Sequence, residues 1–141
     1  MVDTSRLRKE FEQVAKVLET TDGVNRDYAV PTGEFLERQL VTCTALESAG
    51  AQVGIVFSDQ HYNGDVPYLG GNTNITIEQV AGAVGRGGFH ILAGLEGGYI
   101  AEQLAPRAKA KVHKVEMLKL ADEEYPIDSE KVEDVICLLY T

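Results

Sequence analysis

Apolar residues recur at helical spacing in two long segments near the N-terminus. The first segment carries four apolar residues three or four positions apart, namely Leu7, Phe11, Val14 and Leu18. This spacing predicts a helix with one buried face that begins near Thr4 or Ser5 and stops before Asp22. Residues 34–49 carry a wider apolar arc, which predicts a second helix with contacts on more than one side.

Three further segments are predicted to be helical. A capping-box pair at residues 76 and 79 starts a helix that ends at the glycines of residues 86–88. The next helix opens at Gly97-Gly98, and Pro106 must end or kink it. The last helix follows an N-cap at Asp128 or Ser129.

Three segments are predicted to be strands. Residues 52–58 and 89–95 are nearly all apolar, which is typical of strands that are covered on both faces. Residues 111–120 form a more mixed segment with interleaved lysine, histidine and glutamate, so we place this strand nearer an edge of the sheet.

The order of these elements predicts the fold class. Strands that alternate with helices indicate right-handed βαβ crossovers and a parallel sheet. We therefore predict one α/β domain over residues 1–141, with a small, mostly parallel sheet of three to five strands flanked by helices. The expected architecture is three-layered and Rossmann-like or flavodoxin-like. Exposed edges of so small a sheet lead us to expect a homo-oligomer.

Composition narrows the class of partner. The 141 residues are 44% hydrophobic, which is enough for one core without disulfides. A formal net charge of -9 disfavours nucleic acid and anionic membrane surfaces as partners. The two cysteines lie in apolar helical patterns and are interpreted as small hydrophobic residues. Because no apolar run reaches the roughly 18 residues that cross a bilayer, we expect a soluble cytoplasmic protein.

The first strand ends in a polar loop that holds candidate catalytic residues. Asp59, His61 and Asp65 follow that strand, and Glu96 follows the second. Because the carboxyl ends of parallel strands meet at one edge, we expect these side chains along a single rim. They suit a divalent metal site, or an acid–base site with His61 as proton carrier and Asp59 and Glu96 as its partners. The alternative is an ordinary loop in which Asp59 caps a turn.

The loop at residues 59–74 and the start of the following helix supply the expected ligand contacts. These contacts are Asn63, Tyr68, Gly70, Gly71, Asn72, Gly97, Gly98 and Tyr99. The backbone amides of Gly97 and Gly98 open a helix, where unpaired N–H groups attract a phosphate or carboxylate. A Gly-Gly pair also serves as a tight strand-to-helix turn, and both interpretations stay open.

The string Asp59-Gln60-His61-Tyr62-Asn63-Gly64 is similar to the DxHxxG motif of cobalamin-binding domains, and it too follows a strand. The resemblance implies that His61 would replace the lower axial base on cobalt. It covers only this string, and the chain departs from the family's pattern elsewhere. A loop rather than a helix is predicted directly after the motif, and the Ser-x-Leu element is absent at its usual distance.

Two main classes of function follow from these observations, and a structural subunit without a ligand stays open as a third. The first is a small α/β protein that binds or acts on a small polar or anionic metabolite at the rim, as a metal-assisted hydrolase or lyase. The alternative is a non-catalytic ligand-binding or regulatory module that forms a homo-oligomer. The sequence does not choose between them, and a divalent metal is the cofactor that the candidate site residues suggest. His90 and His113 are interpreted as structural histidines away from the rim.

Overall fold

The computed structural model describes residues 4–20, 29–71, 79–118 and 129–140. The helices in these ranges are α1 (Thr4–Thr20), α2 (Thr32–Ser48), α3 (Asp65–Gly70), α4 (Leu95–Leu104) and α5 (Val132–Cys137). The strands are β1 (Gly54–Ser58), β2 (Val80–Gly85), β3 (Gly88–Ala93) and β4 (Lys111–Lys114). Two 3-10 helices, Ala105–Ala108 and Glu116–Leu118, flank β4.

Most predictions based on a clear period are confirmed. Both N-terminal helices and the strands β1 and β3 form within a few residues of their predicted bounds. The predicted burial of the two helices is wrong, however, because Phe11 and Val14 of α1 and Leu40 and Val41 of α2 are all more than half exposed. The helix α4 ends at Leu104, and Pro106 lies in the 3-10 helix that follows, as the missing N–H of proline requires. The mixed segment at residues 111–120 forms the shorter strand β4, which is an edge of the sheet as predicted.

The sheet is mixed, so the prediction of a mostly parallel, Rossmann-like or flavodoxin-like sheet is wrong. Its strand order is β1-β2-β3-β4. The β1–β2 and β2–β3 pairs are antiparallel, and only β3 and β4 run parallel. A single parallel bridge between Val115 and Glu130 continues the sheet beyond β4.

The error arises at β2, which was predicted to be part of a helix. All six residues of β2 are buried, so this apolar run faces protein on both sides and has no helical period. Gly82 leaves room for the Phe89 ring to lie over β2, because a Cβ at this position would collide with that ring. Gly85 pairs with Gly88 across a two-residue turn, and Gly88 has a φ of 104°. The predicted helix cap is therefore a hairpin turn.

Because β2 forms a hairpin with β3, the strands β1 and β3 are not the neighbours that had been predicted. Since β2 is antiparallel to both, β1 and β3 run in the same direction and end at the same edge of the sheet. However, β2 separates them by two strand spacings, or about 10 Å.

The predicted long loop at residues 59–74 is also corrected. It contains the six-residue helix α3, which buries Val66 and Leu69. Gly71 ends this helix in the left-handed conformation, with a φ of 70°. The loop after β1 is therefore short, and residues 72–74 lie outside the described residues.

Helices pack on both faces of the sheet. One face buries Phe89 and Ile91 against α3 and α4. The opposite face buries Leu92 and Val115 against Val135 of α5. Because side chains alternate along β3, His90 points to the same face as Leu92, the face that α5 covers. In the described part of the chain, no helix is long and apolar enough to cross a membrane.

Candidate functional site

Asp59, the first predicted rim residue, closes a turn at the end of β1. Its Oδ1 atom accepts hydrogen bonds from the backbone N–H groups of His61 and Tyr62, both at 2.7 Å. The bond from Tyr62 and then that from His61 lower the pKa of Asp59 below its ordinary value. This arrangement is the turn-capping role that was the alternative to a metal or acid–base role.

The other predicted catalytic and metal-binding residues lie at the surface near this turn or on α4. His61 is exposed, and its Nε2 atom lies 3.2 Å from Nε2 of Gln60. The Asp65 carboxylate is 3.5 Å from the Tyr62 hydroxyl, and Glu96 is exposed in the first turn of α4. Within the described ranges, which include all these residues, no three histidine, cysteine or carboxylate side chains are grouped to hold a metal ion.

Four of the predicted ligand contacts lie on or next to α3, and the surroundings of Tyr68, Gly70 and Gly71 suggest packing roles. Tyr68 is exposed, with the Arg38 guanidinium 4.3 Å from the centre of its ring. Gly70 is buried, and a Cβ there would lie 2.6 Å from the Phe89 ring. Gly71 is the buried cap of α3, Asn63 is exposed in the preceding turn, and Asn72 lies outside the described residues.

The predicted glycine pair lies inside the first turns of α4. Gly98 is buried, and a Cβ there would lie 2.6 Å from Cγ of Lys114, so this glycine lets Lys114 cross the helix. The Lys114 ammonium pairs with Glu102 and lies 4.2 Å from the centre of the Tyr99 ring. Gly97 is half-buried beside it. Gly98 thus allows close packing of α4 on β4, a role that differs from both the anion site and the tight turn that were considered for the pair.

A chain of three titratable side chains, which the sequence did not reveal, runs from the core to the surface. His90 is fully buried and His113 is 7% exposed. Nδ1 of His90 lies 2.9 Å from Nε2 of His113. Nδ1 of His113 lies 2.9 Å from both carboxylate oxygens of Glu130. We call these three residues the relay.

The two imidazoles of the relay are joined edge to edge. Their planes differ by 4° and their centres are 5.0 Å apart. The 2.9 Å between the two nitrogens is shorter than the roughly 3.5 Å at which ring faces can touch. The rings therefore share a hydrogen bond close to a common plane, and a face-to-face stack is excluded.

The sheet register positions the relay. His113 is opposite Leu92 in the parallel β3–β4 pair, and His90 is opposite Lys111. The two histidines thus lie diagonally on the face that α5 covers. Glu130 is fixed beside the end of β4, because its backbone N–H donates to the Lys114 carbonyl at 3.0 Å. This contact brings the carboxylate to His113 across 17 positions of sequence.

The hydrogen bonds determine where the protons lie in the neutral relay. The ionised Glu130 carboxylate can only accept, so His113 donates from Nδ1. Nε2 of His113 then accepts, and His90 donates to it from Nδ1. This leaves Nε2 of His90 as a bare lone pair, and that atom is buried with no hydrogen-bond partner among the described residues.

Burial is the main reason that the pKa of His90 lies below its ordinary value of 6.5. Nearby His113 and Lys111 lower it further, whereas the Gly87 backbone and Glu130 act in the opposite direction without reversing the shift. His90 is therefore a neutral imidazole at neutral pH.

The surface end of the relay opens into a cleft of about 350 Å³. Its lining comprises Val115, Glu116, Met117, Ser129, Glu130, Lys131, Val132 and Glu133. The Glu130 side chain is half exposed there, while its oxygens bind buried His113. Three carboxylates and one lysine give the lining a formal excess of negative charge. We call this pocket the relay cleft.

The sequence contains a partial signal for the relay. His90 lies within an apolar run, and a polar side chain in such a run requires a buried partner. His113 is two positions before Val115, so the two residues share a face of one strand. Nothing local indicates Glu130, because its place depends on a single bridge to Val115.

Comparison with known proteins gives no relative: no family model, curated protein or solved structure matches the chain. The loop that was predicted directly after the DxHxxG-like string is wrong, because the helix α3 begins there, at Asp65. The function must therefore be argued from the geometry of the described residues.

Proposed function

We propose that the protein is a non-catalytic binding module that takes a small cationic ligand, such as an amine, in the relay cleft. In this proposal Glu130 contacts the ligand, and the relay links binding to proton uptake. The observation that carries the proposal is that the cleft carboxylate is bonded through both oxygens to a buried imidazole.

The size and charge of the relay cleft support this ligand class. A volume of about 350 Å³ is at the lower end of the range for small-molecule sites. Among the described lining residues, Glu130 and Glu133 outnumber Lys131, so the cleft favours cations over anions. Glu130 is held in place by His113, and a fixed acceptor loses little side-chain entropy when a ligand binds.

Burial of the relay favours binding over catalysis at this cleft. A general base must come within about 2.6–3.2 Å of the proton it removes. Nε2 of His90 carries the one free imidazole lone pair of the neutral relay, and His90 is fully buried. A ligand in the cleft therefore meets the carboxylate end of the relay and not the basic nitrogen.

The relay would make binding dependent on pH. A proton added to the relay places a positive charge behind Glu130, which opposes a cation in the cleft. Conversely, a bound cation opposes proton uptake by the same amount of free energy. Because burial lowers the pKa of His90 below its ordinary value of 6.5, we expect this weakening of amine binding only at acidic pH, below about 6.5.

Thermal unfolding with a panel of amines tests the proposal. We would use ethanolamine, putrescine and spermidine, because they differ in length and charge. At least one should raise the melting temperature, since a ligand at 100 times its dissociation constant adds about 2.7 kcal/mol of stability. Glu130→Gln should abolish the shift, and Glu37→Gln, which changes an exposed carboxylate on α2, should keep it. An equal shift in Glu130→Gln would reject the site.

The rim at the ends of β1 and β3 supports a second candidate, a metal-assisted hydrolase or lyase that acts on a polar or anionic metabolite. The observation in its favour is that these strands end at the same edge, near Asp59 and the start of α4. Thermal unfolding with Mg²⁺, Mn²⁺ or Zn²⁺ tests it. A stabilising shift that His61→Ala removes would support this candidate, and no shift with any of the three ions would reject it.

We also propose the cytoplasm as the compartment. Cys43 is buried, Cys137 is exposed, and both are unpaired thiols, which fits a reducing environment.

A further inference from the structure

The strand β1 is an edge strand that lacks the usual protection against pairing. Among the described residues, β1 pairs only with β2, so its outer edge offers backbone N–H and C=O groups. Natural edges are protected by charged side chains, proline or bulges. The sequence of β1, Gly-Ile-Val-Phe-Ser, contains none of these residues.

The opposite edge of the sheet is protected in the expected way. The strand β4 begins with the exposed, charged Lys111. The segment at Glu130 adds a bridge and a backbone hydrogen bond to its end. The two edges of the sheet therefore differ, and only the β1 edge lacks this protection among the described residues.

One face of β1 is also apolar and exposed. Ile55 is 50% exposed and Phe57 is 55% exposed. They lie opposite Ala83 and Ala81 of β2, which are buried on the face that α5 covers. The cover on this face therefore stops short of the edge strand.

We propose that β1 pairs with β1 of a second copy of this chain, antiparallel across a two-fold axis, to form one continuous sheet. In the register centred on Val56, Ile55 of each copy lies opposite Phe57 of the other. The four side chains then cover one another on one face of the joined sheet.

Self-pairing fits this surface better than pairing with an unrelated chain. A chain that pairs with β1 must supply both an open strand edge and an apolar face, and β1 of a second copy has both. The chain has a net charge of -9, so two copies repel each other over most of their surface. The strand β1 is uncharged, so pairing there places no like charges opposite each other, although the net charge still weakens the dimer.

The exposed apolar area of β1 limits the affinity that the proposed dimer can reach. Half of a large apolar side chain exposes on the order of 100 Å², so the two residues of each copy and their backbone fall short of the roughly 1,000 Å² of a stable interface. We therefore expect a reversible dimer that forms as the protein concentration rises, with a dissociation constant in the micromolar range or weaker.

Sedimentation velocity on the full chain at about 5–500 µM tests the proposal. The wild-type chain should shift from monomer to dimer over this range. Ile55→Lys or Phe57→Lys should weaken the dimer at least about tenfold, because each would bury a charge opposite an apolar side chain. Val41→Lys, at a position that is 62% exposed on α2, should have no effect. Circular dichroism checks that each variant is folded.

A mixed disulfide tests the register. Residues opposite each other in an antiparallel pair have Cα atoms about 4.5–5.5 Å apart, which a disulfide can span. In a Cys137→Ser background, Ile55→Cys mixed with Phe57→Cys should cross-link on mild oxidation. A wild-type chain that stays monomeric at the highest concentration would overturn the proposal, and so would a dimer that both lysine variants leave intact. Absence of the mixed disulfide would overturn the register centred on Val56.

Discussion

Replacing His90 by glutamine removes the buried end of the relay and should flatten the dependence of stability on pH. In the folded protein His90 is fully buried, and burial holds its pKa below the ordinary value of 6.5. In the unfolded chain the imidazole is in water and takes up a proton as the pH falls through about 6.5. The unfolded state then binds more protons than the folded state.

The sign and size of the effect follow from this difference. Because the folded pKa of His90 is lowered, its contribution is fully present above about pH 6.5 and declines as the pH falls below that value. One proton changes the free energy of unfolding by at most about 1.4 kcal/mol per pH unit. If His90 stays neutral in the folded protein, the loss between about pH 7.5 and 5.5 is about 1.4 kcal/mol.

Urea unfolding at several pH values measures this loss. The wild-type chain should lose about 1.4 kcal/mol more than His90→Gln between pH 7.5 and 5.5. Any effect of the substitution on the free energy of unfolding that does not depend on pH cancels, because only the change with pH is compared. The exposed His61 provides the matched control, and His61→Gln should follow the wild-type curve. Parallel curves for wild type and His90→Gln would refute the argument, since they would mean that His90 binds its proton equally in both states.

Three further changes test other parts of the fold. Gly82→Ala places a methyl group against the Phe89 ring and should lower the free energy of unfolding by about 1–3 kcal/mol in urea unfolding; an unchanged value would mean that the ring moves aside at little cost. Gln39→Ala removes a buried amide that donates at 2.8 and 3.0 Å to two backbone carbonyls, and should cost about 2–4 kcal/mol in the same assay; a cost below about 0.5 kcal/mol would contradict these bonds. Asp59→Ala removes the acceptor of two backbone N–H groups, and should speed amide hydrogen exchange in the turn after β1 without changing exchange in β3; equal exchange would mean that the turn forms without its carboxylate.

Elements with a clear period could be predicted from the sequence. The apolar stripe of α2 and the apolar run of β3 each fit a single kind of element. Proline likewise marked the end of α4, because it cannot donate the next helical hydrogen bond.

The direction of the sheet could not be predicted by the same argument. A run that is buried on both faces has no period, so β2 fitted a helix as well as a strand. Its short length and the glycines after it were the signal for a strand and a tight turn. Missing that turn placed β1 and β3 side by side, whereas β2 lies between them, and the predicted rim depended on their being neighbours.

The relay could not be predicted for a different reason. The two histidines are 23 positions apart, and His113 and Glu130 are separated by 17. Their contact depends on the register of β3 and β4 and on one bridge beyond it, which no local pattern encodes. A histidine within an apolar strand predicts a buried partner without naming it.

The most direct test of the relay is nitrogen NMR of the chain with labelled histidine, in a His61→Gln background so that only His90 and His113 contribute. At about pH 7 we expect both imidazoles to carry their proton on Nδ1, with Nε2 of His90 unprotonated and both protons slow to exchange with water. Glu130→Gln should perturb His113 first, and His90 only through it. A proton on Nε2 of His90 or fast exchange at both rings would contradict the account.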